Sequence, residues 1–265
     1  MKRFSVIGAG NLGTCLIDAL VKKGYSLKYI YKKSRDCSFA FAITGDIRLL
    51  VEQADFIIIA AQESKIREAA ELAATGSHPK GKIFFHTSNS LTSDELSGLQ
   101  EKGAWAASFS PLQTFPAYDA RAGGEVFNGV YFLAEGDKKA VKLAQQVAAD
   151  LGAQVLTVDK SEKIYFHIAG VAAGNFLIAV LDLALSQLKK IGKHDIKILL
   201  PLIRQTLKNV EERGVEASLT GPVQRKEIDI VKKHLEVLEK NPEEAALYKA
   251  LTKFLEKGPA APKNF

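Results

Sequence analysis

Three stretches of this sequence hold residue types that could do chemistry. The first, Gly8-Ala9-Gly10-Asn11-Leu12-Gly13, is a G-x-G-x-x-G placed directly after an apolar run and at the start of a helical pattern. In that context Gly8 allows a tight turn, Gly10 allows a pyrophosphate to approach the backbone, and Gly13 allows helix and strand to touch. The free N–H groups and the helix dipole then favour an anion. The competing reading is a merely tight strand–helix turn. The second stretch sets Lys163 and His167 at i, i+4, with Asn175 eight residues beyond His167, about 80° further around an α-helix. His, Lys and Asn can supply a proton, and hydrogen bonds to the polarised atom of a ketone or imine undergoing reduction. Here the competing reading is packing, because Ala169, Gly170, Ala172, Ala173 and Gly174 would let another helix approach closely, as in a dimer core. In the third stretch, Thr220 lies in the turn Ser218-Leu219-Thr220-Gly221-Pro222 and Arg225 follows it. Arg can hold a carboxylate or phosphate bidentately, so Arg225 or Thr220 is a candidate substrate anchor, against a structural turn with a surface ion pair.

These residues need elements to position them. Apolar runs at Arg3–Ile7, Ser26–Tyr31, Asp55–Ala60, Lys82–His86, Ala104–Phe109, Gly129–Ala134 and Gln154–Val158 alternate with amphipathic segments, the pattern of a parallel sheet with helices on both faces. Leu12, Leu16, Ile17, Leu20 and Val21 recur at helical spacing and Gly24 ends that helix, which makes the first βαβ unit. After Asp159 the strand signals stop, and Ser161–Lys190, His194–Val210, Gln224–Lys240 and Pro242–Glu256 read as helices. Pro201 is expected to kink or break the second of them. The fold class is therefore α/β: residues 1–158 form a Rossmann-like doubly wound sheet, and 159–265 an all-helical domain for substrate binding and dimerisation.

Ligands of open α/β sheets lie outside the carboxyl ends of the strands. Ala60, Ala61 and Gln62 should thus border a cofactor. His86-Thr87-Ser88-Asn89 and Ser110-Pro111-Leu112-Gln113-Thr114-Phe115 should lie around the nicotinamide and substrate, with Ser88 among the cofactor's neighbours; ordinary loop capping explains each of these residues singly as well. An NAD site would carry Asp or Glu about 20 residues after the glycines. This chain instead has Tyr31-Lys32-Lys33-Ser34-Arg35, three cations and a hydroxyl where a 2′-phosphate would lie, which favours NADP(H) over NAD(H). A solvated basic loop is the alternative.

Composition bounds the rest. The 265 residues are 47% hydrophobic and 25% charged, which excludes a disordered, collagen-like or coiled-coil chain. The net charge of +6 is modest, and outside Lys32, Lys33 and Arg35 the cations are mixed with acids, so no nucleic-acid partner is expected. Cys15 and Cys37 lack disulfide or metal spacing and read as core thiols in a reducing, cytoplasmic setting. Ile164–Leu181 imitates a membrane span, being 18 residues without formal charge when His167 is neutral. His167, Asn175, Gly170 and Gly174 argue instead for a buried helix of a soluble protein, with no membrane partner.

The glycine fingerprint, His86-Thr87-Ser88, Pro111-Leu112-Gln113-Thr114-Phe115, His167 with Asn175, Pro201-Leu202, Leu219-Thr220-Gly221-Pro222 with Arg225, and His234-Leu235 together resemble a family of Rossmann-like oxidoreductases. Its C-terminal helical domain has no assigned function, and it is related to pyrroline-5-carboxylate reductase and ketopantoate reductase. The resemblance spans nearly the whole chain. It implies a helical domain like the C-terminal one of 6-phosphogluconate dehydrogenase, a homodimer, and polar catalytic groups on the first long helix. Three positions depart from the pattern: Ser110 stands where histidine is usual, Asn89 where glycine is usual, and Lys226-Glu227 where Gly-Asp is usual. The function expected is NADP(H)-dependent hydride transfer to or from a small keto or imino compound, with His167 as acid/base and Asn175 as an orienting donor. A non-catalytic NADP-binding sensor or partner-binding protein is the second reading.

Overall fold

A computed structural model of the chain describes residues 2–31, 43–115 and 125–258. The described residues form one eight-stranded sheet, and all seven expected strands are present: β1 (Arg3–Ile7), β2 (Ser26–Tyr31), β4 (Phe56–Ile59), β5 (Ile83–His86), β6 (Trp105–Pro111), β7 (Tyr131–Gly136) and β8 (Gln154–Thr157). The eighth, β3 (Ile43–Thr44), is two residues long and pairs with the end of β2, too short for any periodicity to reveal. The order is β3-β2-β1-β4-β5-β6-β7-β8. The sheet is not wholly parallel as expected, since β7 runs antiparallel to β6 and β8 follows β7's direction. Strand direction is set by the connection and leaves no mark on the strand's own residues.

Helices cover both faces because the central strands are apolar on both sides; every residue of β4 is buried. On one face, α1 (Asn11–Lys22) and α5 (Lys138–Asp150) pack on a row of phenylalanines that crosses five strands. Phe4, Phe56, Phe85, Phe109 and Phe132 follow one another with ring centroids 5.7, 6.1, 5.5 and 4.5 Å apart. On the other face α2 (Ile47–Glu52), α3 (Glu63–Gly76) and α4 (Ser97–Glu101) cover Ile7, Ile57, Ile59, Phe84 and Ala106. Asp46 caps α2 by accepting from the Arg48 and Leu49 amides.

Beyond β8 the described residues are helical: α6 (Lys163–Val171), a π-helical turn (Ala172–Phe176), α7 (Leu177–Lys190), α8 (Leu200–Ser218), α9 (Ile228–Leu238) and α10 (Pro242–Glu256). Pro201 neither kinks nor breaks α8. It occupies the helix's first turn, where a missing N–H costs nothing. The irregularity falls instead at Gly214, whose φ of +78° interrupts the helix before it runs on past Val210 to Ser218. The chain divides into two compact units, Met1–Asn175 and Phe176–Phe265. Residue 158, the first after the last strand, thus precedes this division by the length of α6 and most of the π-turn.

The expectation of a buried Ile164–Leu181 helix does not hold within the chain. The helical run Lys160–Lys190 is long and apolar enough to cross a membrane by length and composition, and none of its most apolar window is buried by the chain. Tyr165 is 72% and Ile178 64% exposed. Among the described residues nothing buries these side chains.

Candidate functional site

The site is built at the carboxyl ends of β1, β4, β5 and β6, all within the first unit. Gly8 follows β1 with φ of +94°, and a Cβ there would lie 2.5 Å from the Ala60 carbonyl oxygen. Only glycine fits, because β1's end must pass against β4's. A Cβ on Gly13 would come 2.7 Å from the Gly8 carbonyl oxygen and 3.1 Å from Ala60 Cβ, so this glycine brings α1 onto the strands. Gly10 differs from both: nothing lies within 4 Å of where its Cβ would be. It is the N-cap of α1, no side chain caps that end, and the first turn holds no acid. The amides of Asn11, Leu12 and Gly13 therefore belong to a helix end that attracts an anion, with open space beside Gly10.

The neighbouring segments are tied to this helix end. Asn11 Nδ2 donates to the Phe115 carbonyl oxygen at 3.1 Å, which joins the start of α1 to the segment after β6. In that segment Thr114 Cγ2 lies 3.4 Å from a Cβ placed on Gly174, next to Asn175. Tyr31 ends β2 and its carbonyl oxygen accepts from the Gly8 amide at 3.0 Å. Ala60 and Ala61 follow β4, and Gln62 is the exposed N-cap of α3. Lys32, Lys33 and Ser34, with Arg35, lie outside the described residues.

The β5 loop is held from within. His86 is buried; its Nε2 donates to the Thr92 carbonyl oxygen at 2.9 Å and its Nδ1 accepts from the Ser88 amide at 3.2 Å, which assigns a neutral ring. Burial, and then the charge of Lys163, bring its pKa down to about 4. Ser88, expected beside a cofactor, spends its hydroxyl on the loop: it donates to Glu63 Oε1 and accepts from the Ser90 and Leu91 amides at 3.1 and 3.0 Å. Partial burial pushes the Glu63 carboxyl up, but the Ser88 and Ser90 hydroxyls and the charge of His167 outweigh it and hold it below the usual range. That influence places His167, half-buried on α6, within electrostatic reach of Glu63 at the start of α3.

Asn175 is exposed and lies in the π-turn. The 80° offset from His167 assumed an unbroken α-helix, and the wider turn changes that phase; π-turns recur at functional sites. Asn89 Nδ2 donates to the Pro111 carbonyl oxygen at 3.0 Å. Among the described residues, the buried side-chain atoms without a hydrogen-bond partner are Asn89 Oδ1 and Ser110 Oγ, two of the three places where the sequence departs from the pattern it resembles. Unpaired buried polar atoms are costly, which makes the carboxyl ends of β5 and β6 a candidate place for a ligand.

Thr220 and Arg225 lie in the second unit. Thr220 is exposed after α8, and Arg225 precedes α9 instead of opening it. Its guanidinium is engaged by Glu227 in two bonds, Nε to Oε1 at 2.7 Å and Nη2 to Oε2 at 2.9 Å, the ion-pair alternative. Sequence reasoning gave no role to Glu63 or Lys163's burial. The proximity of Glu63 to β4's end was the available signal.

Residues 130–254 match the family model described as a domain of unknown function, DUF2520. The match spans a little under half of the chain, and it is that segment which is similar to the domain. That segment begins at β7, so it takes in the last two strands of the sheet as well as most of the helical region. No curated protein matches the chain. Among solved structures, a Bacteroides fragilis protein provisionally described as an NADP oxidoreductase has a TM-score of 0.81 at 24% identity, with 97% of this chain and 98% of that one covered. A reductive aminase from Aspergillus terreus, in complex with NADPH and ethyl levulinate, has a TM-score of 0.69 at 13% identity, covering 97% and 94%. Plasmodium falciparum pyrroline carboxylate reductase with NADP bound has a TM-score of 0.59 at 13% identity, covering 96% and 98%. At these identities the likeness is one of fold: a Rossmann-like sheet followed by a helical region.

Proposed function

We propose that this chain is an NADP(H)-dependent oxidoreductase acting on a small keto or imino compound. The observation that carries the reading is the start of α1: a 12-residue helix whose N-terminus no side chain caps, opened by a glycine with free space where a side chain would be. The amides of Asn11, Leu12 and Gly13 would hold the pyrophosphate, and Tyr31, Lys32, Lys33, Ser34 and Arg35 the adenosine end with its 2′-phosphate. Ala60, Ala61 and Gln62 would border the cofactor's other half. When bound, the cofactor supplies the hydride. The solved structures of like fold whose descriptions name NADPH or NADP support this choice.

The chain's own residues do the rest. His167 holds the proton to be exchanged, on the helix that faces Glu63 within electrostatic reach. Asn175 orients the polarised oxygen or nitrogen of the substrate, on the turn adjoining Thr114. Arg225 is given no anchoring role, because Glu227 occupies its guanidinium. A second copy of the chain covers the apolar side chains along α6 and α7, giving a cytoplasmic homodimer. The test is NADPH oxidation measured across a panel of keto and imino acids. Turnover is expected with at least one of them, and Asn175→Ala should lower kcat while leaving NADPH affinity as it was. A dead panel with tight NADPH binding would support a cofactor sensor instead, and unchanged turnover in the variant would remove Asn175 from the site.

A further inference from the structure

Among the described residues Lys163 is the only lysine that is buried, with no exposed surface at all, and the reading above gives it no task. Its Nζ donates to the Ser88 carbonyl oxygen at 3.1 Å and to Ser108 Oγ at 2.5 Å, so one nitrogen at the start of α6 holds both the β5 loop and the middle of β6. Burying an ammonium is costly, and two neutral oxygens offset only part of that; Glu135 on β7 and Glu63 on α3 act on it as counter-charges. Glu135 is itself buried and accepts from the amide and hydroxyl of Ser93.

The held loop is a junction. Through its hydroxyl Ser88 reaches Glu63 at the start of α3, and through Asn89 the loop reaches Pro111 at the end of β6. A shift at Ser88 is therefore felt at the carboxyl ends of β4, β5 and β6, which carry the unpartnered Asn89 Oδ1 and Ser110 Oγ.

We propose that Lys163 is a positioning residue: as an ammonium it fixes the Ser88-Asn89-Ser90 loop onto α6 and β6, and so sets the carboxyl ends of β5 and β6 for their ligand. The ligand-facing part of this rests on the NADP(H) reading; the loop-holding part does not. Burial brings Lys163 down to about 8, so the fixing charge is lost not far above neutral pH. The other titratable groups around it are Glu135 from β7, Glu63 from α3 and the neutral His86 from β5, while His167 on its own helix acts on Glu63 and Lys160 acts on Glu135.

Hydrogen exchange at the Ser90 and Leu91 amides, corrected for intrinsic rates, tests this in the full chain, with an NADPH titration in parallel. In the native protein protection should fall about tenfold as pH rises through 8, while Lys163→Met should be poorly protected at every pH and bind NADPH about tenfold more weakly. Ser108→Ala removes one of the two partners and should lower protection while keeping the pH dependence. Native-like protection in Lys163→Met, or an unchanged pH dependence, would overturn the proposal and pass the titration to Glu135, Glu63 or His86. Should Lys163→Met not fold, flat protection across pH in the native protein and in Ser108→Ala overturns it, and the expected fall supports it. If the native protein binds no NADPH but its loop behaves as described, the cofactor reading fails and the positioning role stands.

Discussion

The carboxyl ends of β5 and β6 and the turn before α9 both gather short polar residues around a cation, yet they are opposite kinds of structure. At the strand ends, Lys163 is buried on two neutral oxygens, and Asn89 and Ser110 leave polar atoms without partners. In the turn, Arg225 has a side chain 59% exposed and is satisfied by Glu227 two residues away. The first arrangement is expensive and the second is not. An expensive arrangement persists where something besides stability maintains it, which is why a positioning role is given to Lys163 and none to Arg225.

The largest expected effect that separates the two concerns the glycines. Gly8→Ala forces a side chain to 2.5 Å from the Ala60 carbonyl oxygen at a φ of +94°, and should destabilise the fold by about 3 kcal/mol or more in urea denaturation. Gly10→Ala meets nothing within 4 Å and should change stability by less than about 1 kcal/mol while weakening NADPH binding. Equal destabilisation by the two would remove the argument that Gly10 is kept for a ligand.

A comparable effect should appear in acid. His86 is neutral when folded, with its pKa at about 4, and titrates near 6.5 when unfolded, so the unfolded chain takes up the proton first. Stability should therefore fall by about 3 kcal/mol as pH drops from 6.5 to 4, and level off below that. Denaturation of His86→Gln across the same range should lack this loss. The smallest effect belongs to the turn: Arg225→Ala should leave both the melting temperature and NADPH affinity unchanged, and a clear loss of affinity would return Arg225 to the site.

Seven strands were legible because buried strands are apolar runs bounded by turn residues, and Ile57 to Ile59 could hardly be anything else. The glycine geometry was legible because each glycine has a separate steric task. Other features were not, for physical reasons. The reversal at β7 and the two-residue β3 are properties of pairing, absent from the strands' own composition. Pro201 looked like a breaker because its place in the first turn depends on where the helix starts. Lys163 looked like any solvated lysine, since burial of its charge depends on Ser88, Ser108 and Glu135, distant in sequence. The exposed Tyr165 and Ile178 read as core because apolar periodicity says that a face is covered without saying by which molecule.

The central claim is that the uncapped start of α1 holds NADP(H). Fluorescence titration of the native protein and of Gly10→Val with NADPH and NADH tests it most directly. The native protein should bind NADPH much more tightly than NADH, and the valine, filling the open space at Gly10, should abolish both while the fold stays intact. Equal affinities for the two cofactors would contradict the NADP assignment, and undiminished NADPH binding by Gly10→Val would contradict the site itself.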